Sequence, residues 1–407
     1  MQLKKGSIVG FTVLVAALGY FVDIYDLVLF GVLRVKSLTG LGLDQVQVRD
    51  RGEFIISIQM AGLLIGGIFW GIMGDRKGRR SVLFGSIILY SLANIANGFV
   101  ASVNQYALVR FIAGLGLAGE LGAGITLVSE LMPKEKRGLG TTLVSGIGVL
   151  GALAAYLISR AFLWRTCYFI GGGLGLLLLF LRISVFESGM YEQIKEMGVP
   201  KGNFLSFFTD RKRFKKYLCV ILIGLPTWYS IGVLITFSRE FGQAFGIAQP
   251  IDAGKSIMYN YGGVALANVL IGMLSQWLRS RKKALYLSYA TSILFCVLFF
   301  MQNNQSTDVT MYWLAAGVGF GTGYWAIFVT MAAETFGTNL RATAAITAPN
   351  MVRGALPLII LLFKWLRSSQ GYLRGAWMTG LILMGIAITA SIFSEETFGK
   401  DLNFVEQ

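Results

Sequence analysis

Long apolar runs recur along the whole chain, and they restrict its fold more than any other feature. A helix needs roughly 20 apolar residues to cross a bilayer, because inside lipid every backbone polar group must be hydrogen-bonded within the segment. The runs therefore predict an all-α membrane protein with twelve transmembrane helices. We place these spans near residues 8–33, 53–73, 81–100, 105–129, 138–160, 165–185, 217–238, 256–278, 284–301, 311–333, 342–363 and 375–393.

Two acids stand in the middle of the first apolar run. Asp23 and Asp26 are three residues apart in LGYFVDIYDLVLFG, so a helix places both carboxylates on one face. An ionised Asp near the centre of a membrane helix costs about 2.5–3.5 kcal/mol, and such residues normally face a protein interior or an aqueous cavity. We therefore expect this pair to mark a proton or substrate site. The run itself is too long for the apolar core of a signal peptide, so we expect it to be retained.

The residue inventory excludes several classes of function. Of the 407 residues, 55% are hydrophobic and 14% are charged, which leaves no room for a sizeable soluble domain. The net charge of +15 comes mainly from Lys and Arg in short loops, a pattern of membrane topology rather than of nucleic-acid binding. The absence of histidine removes imidazole relays, Ser-His-Asp chemistry and His-ligated zinc, and the three cysteines have no paired spacing. We expect no cofactor, no metal and no enzymatic activity.

The basic loops predict an orientation. With the N-terminus in the cytoplasm, the basic clusters fall in inside loops, and two of the outside loops carry no positive charge. The inside clusters lie at 76–80, 134–137, 211–216 and 279–283. By the positive-inside rule we expect both termini on the cytoplasmic side of a bacterial inner membrane.

The two halves of the chain look duplicated. Glu130 and Arg137 bracket the loop after the fourth span, and Glu334 and Arg341 repeat this Glu-x6-Arg frame after the tenth. Half-chain repeats are typical of transporters in which two bundles rock about a central site. We predict two pseudo-symmetric six-helix bundles. The predicted domains are an N-terminal bundle at 1–186, a cytoplasmic linker at 187–216, and a C-terminal bundle with a short tail at 217–407.

Two lone arginines lie inside apolar spans. Arg110 stands ten residues before Glu120. We expect it to pair with Asp26, since an arginine beside a carboxylate keeps the carboxylate ionised until a proton replaces the bridge. Alternatively, Arg110 snorkels to the outer interface. Arg353 precedes Pro357, where a half-broken helix would let it grip a carboxylate substrate; alternatively it pairs with an internal acid or a helix-end carbonyl.

These groups define a predicted site. We expect proton coupling at Asp23, Asp26, Arg110 and Glu120. Aromatic side chains of several spans could wall a cavity, although such rings more often serve packing or anchor at the interface. The predicted substrate-binding residues are Tyr25, Trp228, Tyr229, Tyr261, Trp325 and Arg353, with Tyr259 and Tyr324 as further aromatic candidates.

The loop between the second and third spans carries a specific motif. The pattern G-x-x-x-D-R-x-G-R-[RK] is matched by Gly71, Asp75, Arg76, Gly78, Arg79 and Arg80. In this motif the chain resembles the major facilitator superfamily, in which the loop gates the inward side. The resemblance implies the following gating residues: Gly74, Asp75, Arg76, Gly78, Arg79, Arg80, Glu130, Arg137, Glu334 and Arg341.

Within that superfamily the chain is most similar to the metabolite:proton symporter family and its sugar-porter relatives. The similarity rests on the first-span acids, on Gly119-Glu120 and on the E-x-x-P-x-x-x-R-G loop from Glu130 to Gly138. Further matches are Trp164-Arg165, Phe186-Glu187-Ser188, Glu334-Thr335-Phe336 and the tail Glu396-Thr397-Phe398-Gly399-Lys400. The similarity spans nearly the whole chain and is weaker in the second half.

These observations predict a proton-coupled importer of a small organic metabolite, most simply a carboxylate, that works as a monomer by alternating access. Its partners would be the substrate, protons and the lipid bilayer. One alternative is an uncoupled facilitator or proton-driven exporter of the same fold for a sugar, drug or siderophore. Another is a transporter-like membrane sensor, for which the 187–216 linker offers a modest surface. A membrane enzyme is least favoured, because the chain offers few catalytic groups.

Overall fold

The computed structural model describes residues 5–120, 137–182, 204–337 and 339–400, together with positions 122, 124, 128 and 132. The described elements are all helical. They are α1 (Lys5–Gly40), α2 (Gln45–Lys77), α3 (Arg79–Asn97), α4 (Val103–Leu117), α5 (Arg137–Val149), α6 (Gly151–Ala161), α7 (Trp164–Arg182), α8 (Ser206–Thr209), α9 (Arg211–Tyr229), a π-helix (Ser230–Ile235), α10 (Ser238–Phe245), α11 (Ala253–Trp277), α12 (Arg281–Phe300), α13 (Asp308–Thr322), α14 (Trp325–Thr335), α15 (Arg341–Gly354), α16 (Leu356–Gln370) and α17 (Tyr372–Phe393).

A described helix overlaps each predicted span. Ten segments of the described chain are long and apolar enough to cross a membrane. Ser81–Asn97 is a shorter apolar helix, and the helix Val103–Leu117 lies in the span predicted at 105–129, part of which is outside the described residues. The prediction of an all-α membrane protein is confirmed. Of the predicted linker at 187–216, residues 187–203 lie outside the described residues.

Short polar side chains fix where several helices begin. Asp44 accepts a hydrogen bond from the Gln47 amide, and the Gln47 side chain accepts one from the Asp44 amide, which forms a capping box at α2. Asp252 caps α11 by accepting hydrogen bonds from the amides of Gly254 and Lys255. Ser280 caps α12 by accepting one from the amide of Lys283. These caps satisfy amides that have no partner within the first turn.

The first and second halves of the chain meet along two seams. In one, α2 packs against α15 and α16; in the other, α11 packs against α1, α5 and α6. Helices α1, α2, α11 and α15 therefore lie where the two halves meet, and α1 carries the two acids. This arrangement leaves the space between the halves as the place where a central site can form.

The closest helix contacts depend on glycine and repeat in both halves. A methyl group on Gly114 of α4 would overlap the carbonyl oxygen of Gln59 on α2. In the second half, a methyl group on Gly319 of α13 would overlap the carbonyl oxygen of Asn260 on α11. Small residues allow backbones to approach within membranes, where van der Waals packing drives association. The matching contacts support the predicted duplication.

We expect Gly114→Ala to lower thermal stability. The added methyl group forces α4 away from α2, and overpacking of this kind typically costs about 1–3 kcal/mol. Gly262→Ala is the matched control, because that exposed helical glycine has open space around its missing side chain. Thermal unfolding in detergent should show a lower Tm for Gly114→Ala and an unchanged or slightly higher Tm for Gly262→Ala. Equal Tm values for the two variants would contradict the packing assignment.

Candidate functional site

A small cavity of about 20 Å³ lies between the two halves of the chain. It has room for about one water molecule. The first half contributes Tyr20, Ile24, Leu27 and Val149, and the second half contributes Thr227, Trp228, Ile231, Tyr261, Val264, Trp325 and Arg353. In this conformation the cavity is therefore too small for a metabolite.

Interruptions in the helices bring these side chains to the cavity. Ile231 lies in the π-helix that follows α9, and Val149 ends α5 one residue before the break to α6. Trp325 begins α14 directly after the break that ends α13, and Arg353 lies two residues before the break between α15 and α16. Irregular backbone at membrane depth is tolerated where it is buried in protein or lines a cavity, and discontinuous helices commonly form transporter sites.

Arg353 is a buried cation surrounded mainly by aromatic rings. Arg353 is only 2% exposed, and its guanidinium carbon lies 5.8 Å from the ring centroids of both Trp228 and Trp325. Nη1 donates to Asn350 Oδ1 at 3.3 Å, whereas Nε has no hydrogen-bond partner among the described residues. No described acid lies within 4.0 Å of the guanidinium. Among the described residues, the guanidinium makes neither an ion pair with an internal acid nor a hydrogen bond to a helix-end carbonyl, the two expected alternatives.

Asp26 and Arg110 form the ion pair that the sequence predicts. Arg110 Nη1 lies 2.8 Å from Asp26 Oδ1, and Nη2 donates to the Asp26 carbonyl at 3.1 Å. Gln59 and Asn94 accept further hydrogen bonds from the guanidinium, and the Tyr168 ring lies 5.6 Å from it. Both charged side chains are fully buried, so the alternative in which Arg110 snorkels to the interface is wrong. The pair joins α1 to α4, and its neighbours add α2, α3 and α7.

Asp23 is fully buried on the cavity side of α1. It lies within electrostatic range of Tyr20 and Tyr261, two rings that line the cavity and that also lie within range of Arg353. Glu120 is buried just after α4, and Asn350 donates to the carbonyl of Ala118 two residues earlier at 2.7 Å. The predicted acids thus divide between the Arg110 pair, the neighbourhood of the cavity-lining tyrosines and the seam with α15.

The structure places two predicted lining residues elsewhere. The Tyr25 hydroxyl donates to the Cys167 carbonyl at 2.8 Å, so this ring faces α7. The Tyr229 hydroxyl donates to the Ala376 carbonyl at 2.6 Å, within the second half. Tyr25 follows Ile24 and Tyr229 follows Trp228, and both of these preceding residues line the cavity. Adjacent positions on a helix point in different directions, so the tyrosines face elsewhere.

The further aromatic candidates also lie away from the cavity. The Tyr259 ring packs against Tyr312 and Trp313, and Tyr324 donates to the Ile223 carbonyl. The sequence reasoning missed Tyr20, which lines the cavity. Its signal was its position three residues before Asp23, on the same helix face.

Part of the predicted gating set lies in the described chain. Gly78 has φ +93°, a backbone conformation that favours glycine, and Gly74 is buried while Arg76 is exposed. Arg341 is 1% exposed. Glu334 pairs with Arg281 at 3.0 Å and accepts from Thr397 Oγ1 at 2.8 Å. Glu130 lies wholly outside the described residues. The side chains of four further members also lie outside them: Asp75, Arg79, Arg80 and Arg137.

The C-terminal tail docks on the start of α12. Glu396 accepts hydrogen bonds from Ser280 Oγ and from the amides of Arg281 and Lys282. Burial raises the pKa of Glu396, but these hydrogen bonds and one from the Phe398 amide outweigh it, so the pKa lies below its usual value. The carboxylate therefore stabilises the docked tail above its unfolded pKa, and this contribution is lost as the pH falls through the folded pKa.

Comparison with known proteins gives relatives along the whole chain. The niacin transporter NiaP of Acinetobacter baylyi is 26% identical over 96% of this chain and 95% of its own length. The sialic acid transporter NanX of Escherichia coli is 29% identical over 72% of this chain and 71% of its own length. The proton:xylose symporter XylE bound to 6-bromo-6-deoxy-D-glucose superposes with a TM-score of 0.77 at 17% identity, covering 98% of both chains.

The family model described as Major Facilitator Superfamily matches residues 9–355. This match covers both acids of α1, the Arg110 pair and Arg353. It agrees with the all-helical fold, with the likeness to a solved symporter and with relatives named as transporters of small metabolites. The chain is an integral membrane protein and belongs to the major facilitator superfamily of transporters.

Proposed function

We propose that the protein is a proton-coupled symporter that imports a small organic carboxylate across a bacterial inner membrane. The observation that carries the substrate class is Arg353, a buried guanidinium beside the central cavity with no described acid within 4.0 Å. Arginine binds carboxylates through two parallel hydrogen bonds, and a buried guanidinium that no described acid contacts favours an anionic ligand. Two relatives are named as transporters of niacin and of sialic acid, and both of these compounds are carboxylic acids.

The aromatic rings suit a substrate in which the carboxylate is attached to a flat or ring-shaped group. Trp228 and Trp325 flank Arg353, and Tyr20 and Tyr261 complete the wall around it. Ligand sites are mostly apolar with a few polar groups that fix orientation. The cavity of about 20 Å³ must enlarge before a substrate fits. The interrupted helices around it allow such movement without breaking a long continuous helix.

Asp23 is the proposed proton carrier. It shares the tyrosine-lined side of the cavity with Arg353, so its negative charge opposes the entry of a second carboxylate. Protonation removes that repulsion, and binding of proton and substrate thereby becomes mutually favourable. Glu120, close to α15, is a second candidate for the same role. Asp26, held by Arg110, would serve the structure.

Alternating access supplies the transport cycle in this proposal. The N-terminal bundle, 1–186, and the C-terminal bundle, 217–407, would rock about the central cavity in a monomer with both termini in the cytoplasm. The positive-inside distribution supports that orientation. An uncoupled facilitator, an exporter and a sensor that moves no solute remain the alternatives that transport measurements distinguish.

We expect nicotinate to raise the Tm of the purified protein and nicotinamide to leave it unchanged. The two compounds differ in the carboxylate that Arg353 would bind, and a ligand at 100 times its Kd adds about 2.7 kcal/mol to the stability of the native state. Arg353→Ala should abolish the shift, and Arg353→Lys should weaken it, since Lys lacks the bidentate fork. If nicotinate gives no shift, a panel of other small carboxylates tests the class. A carboxylate that stabilises Arg353→Ala as well as the wild type would contradict the assigned role.

We expect Asp23→Asn to abolish uptake driven by a pH gradient while leaving substrate exchange intact. The amide cannot release a proton, but it keeps the shape of the carboxyl group at the cavity. Proteoliposomes loaded at different internal and external pH, with a labelled carboxylate, measure both activities. Glu120→Gln in the same assay tests the second candidate acid. Wild-type uptake that ignores the gradient would remove proton coupling from the proposal.

We expect Asp26→Asn to destabilise the fold rather than to act on coupling alone. It leaves the Arg110 guanidinium buried without its counter-ion, a change that costs about 3–5 kcal/mol. The matched control is Arg49→Gln, which breaks the exposed pair between Arg49 and Asp50 and should change stability by less than about 1 kcal/mol. Thermal unfolding measures both variants. A Tm for Asp26→Asn equal to that of the control would show that the pair contributes little.

A further inference from the structure

A second cavity, of about 490 Å³, lies at the end of the molecule that carries the α1–α2 turn. We call this cavity the vestibule. Residues of α1 and of the start of α2 form one wall, and α10 forms the other, with Arg49, Arg239 and Glu240 among the lining side chains. Helix α10 belongs to the second half of the chain. The vestibule is thus a space between the halves at the face predicted to be periplasmic.

A buried ion pair lies at the wall of the vestibule. Arg34 of α1 and Glu240 of α10 make two contacts, Nη1 to Oε1 at 2.8 Å and Nη2 to Oε2 at 3.0 Å. Arg34 also donates to the Thr236 carbonyl at 3.3 Å, and the Phe237 ring lies 4.6 Å from its guanidinium carbon. The Arg34 side chain is fully buried and that of Glu240 is 16% exposed. This pair joins the two halves of the chain.

A second buried acid joins the halves at the same face. Glu53 of α2 is 3% exposed, and it contacts both Lys364 Nζ at 2.6 Å and Arg367 Nη1 at 2.9 Å. The two cations lie on α16. Tyr372, at the start of α17, lies within electrostatic range of Glu53, Glu240, Arg34 and Arg367. Both sets of ion pairs therefore lie near Tyr372, and both connect the two halves of the chain.

Further along the same seam, some contacts between described residues are neutral. Thr343 Oγ1 donates to the Gly71 carbonyl at 3.3 Å, and a methyl group on Gly71 would meet Thr347. Asn350 donates to the Ala118 carbonyl at 2.7 Å. Removing one partner of a buried ion pair leaves the other charge desolvated, which costs far more than the loss of a neutral hydrogen bond.

We infer that Arg34–Glu240 and Glu53–Lys364/Arg367 form an ionic latch that holds the vestibule face shut. The vestibule can connect with the central cavity only if α1 and α2 separate from α10 and α16, and that movement breaks both pairs. Neutralising either acid weakens the latch and shifts the population towards a form open at the vestibule. The transport role of this latch rests on the proposed function, but its existence is a question of conformation and is measured without a substrate.

Two single-cysteine reporters test the latch. Ile257 is 2% exposed, packs against Gly31 of α1 and lies between the vestibule and the cavity, whereas Thr347 lies in the seam near the opposite face. Ile257→Cys and Thr347→Cys would each be made with Cys167, Cys219 and Cys296 replaced by Ala. The purified protein in nanodiscs is treated with a charged maleimide. Glu240→Gln and Glu53→Gln should each raise the labelling rate of Ile257→Cys about tenfold, equivalent to about 1.4 kcal/mol, and leave Thr347→Cys protected.

The control is Asp50→Asn, an acid at the same face whose exposed carboxylate pairs with Arg49. It should change neither labelling rate. Unchanged labelling of Ile257→Cys in both Glu→Gln variants would overturn the latch. An equal rise at both reporters would also overturn it, because the pairs would then hold the whole fold rather than one gate.

Gly52→Ala tests the same latch without removing a charge. A methyl group there would lie 2.6 Å from Arg34 Cδ, so Arg34 must move away from its position beside Glu240. We expect labelling of Ile257→Cys to rise in this variant as well, with Thr347→Cys protected. Protection of both reporters in Gly52→Ala would show that the position of Arg34 does not hold the gate, and would overturn its part in the latch.

Discussion

The ion pair between Asp26 and Arg110 is the interaction on which the first half of the molecule depends. Two charges at membrane depth are tolerable only when they neutralise each other and their remaining polar atoms find partners. Here Gln59, Asn94 and the Asp26 carbonyl accept hydrogen bonds from the Arg110 guanidinium, and they come from α1, α2 and α3. A cluster that needs groups from several helices fixes how those helices pack, and it sets the position of Asp23 one turn away.

The second half meets this rigid cluster with interrupted helices and an arginine of different character. Arg353 has aromatic rings and one amide around it where Arg110 has a carboxylate. In the proposed function, this contrast separates two uses of a buried cation: Arg110 completes the fold, and Arg353 binds the substrate. Glycine contacts between α2 and α4 and between α11 and α13 hold both halves by the same packing device, so the functional difference lies in the side chains that face the centre.

The sequence predicted the twelve spans because each is a local property, a run of apolar residues long enough to cross a bilayer. It predicted the Asp26–Arg110 pair because a buried charge demands a partner and few candidates exist. It misplaced Tyr25 and Tyr229, since hydropathy in a helix buried on every side does not say which face points to the cavity. It also gave no sign of Arg34–Glu240, whose members are 206 residues apart near helix ends, where charges are common.

The amino-acid sequence by itself determined the membrane fold, the family resemblance and the presence of costly charges, because composition, periodicity and motif are carried by neighbouring residues. Only the tertiary structure decided which charge pairs with which, that Tyr20 and Arg353 share a cavity wall, and that Glu53 meets Lys364 and Arg367 across the seam. Those relations depend on the rotation and distance of helices far apart in the chain. Packing sets both quantities, and no local pattern encodes them.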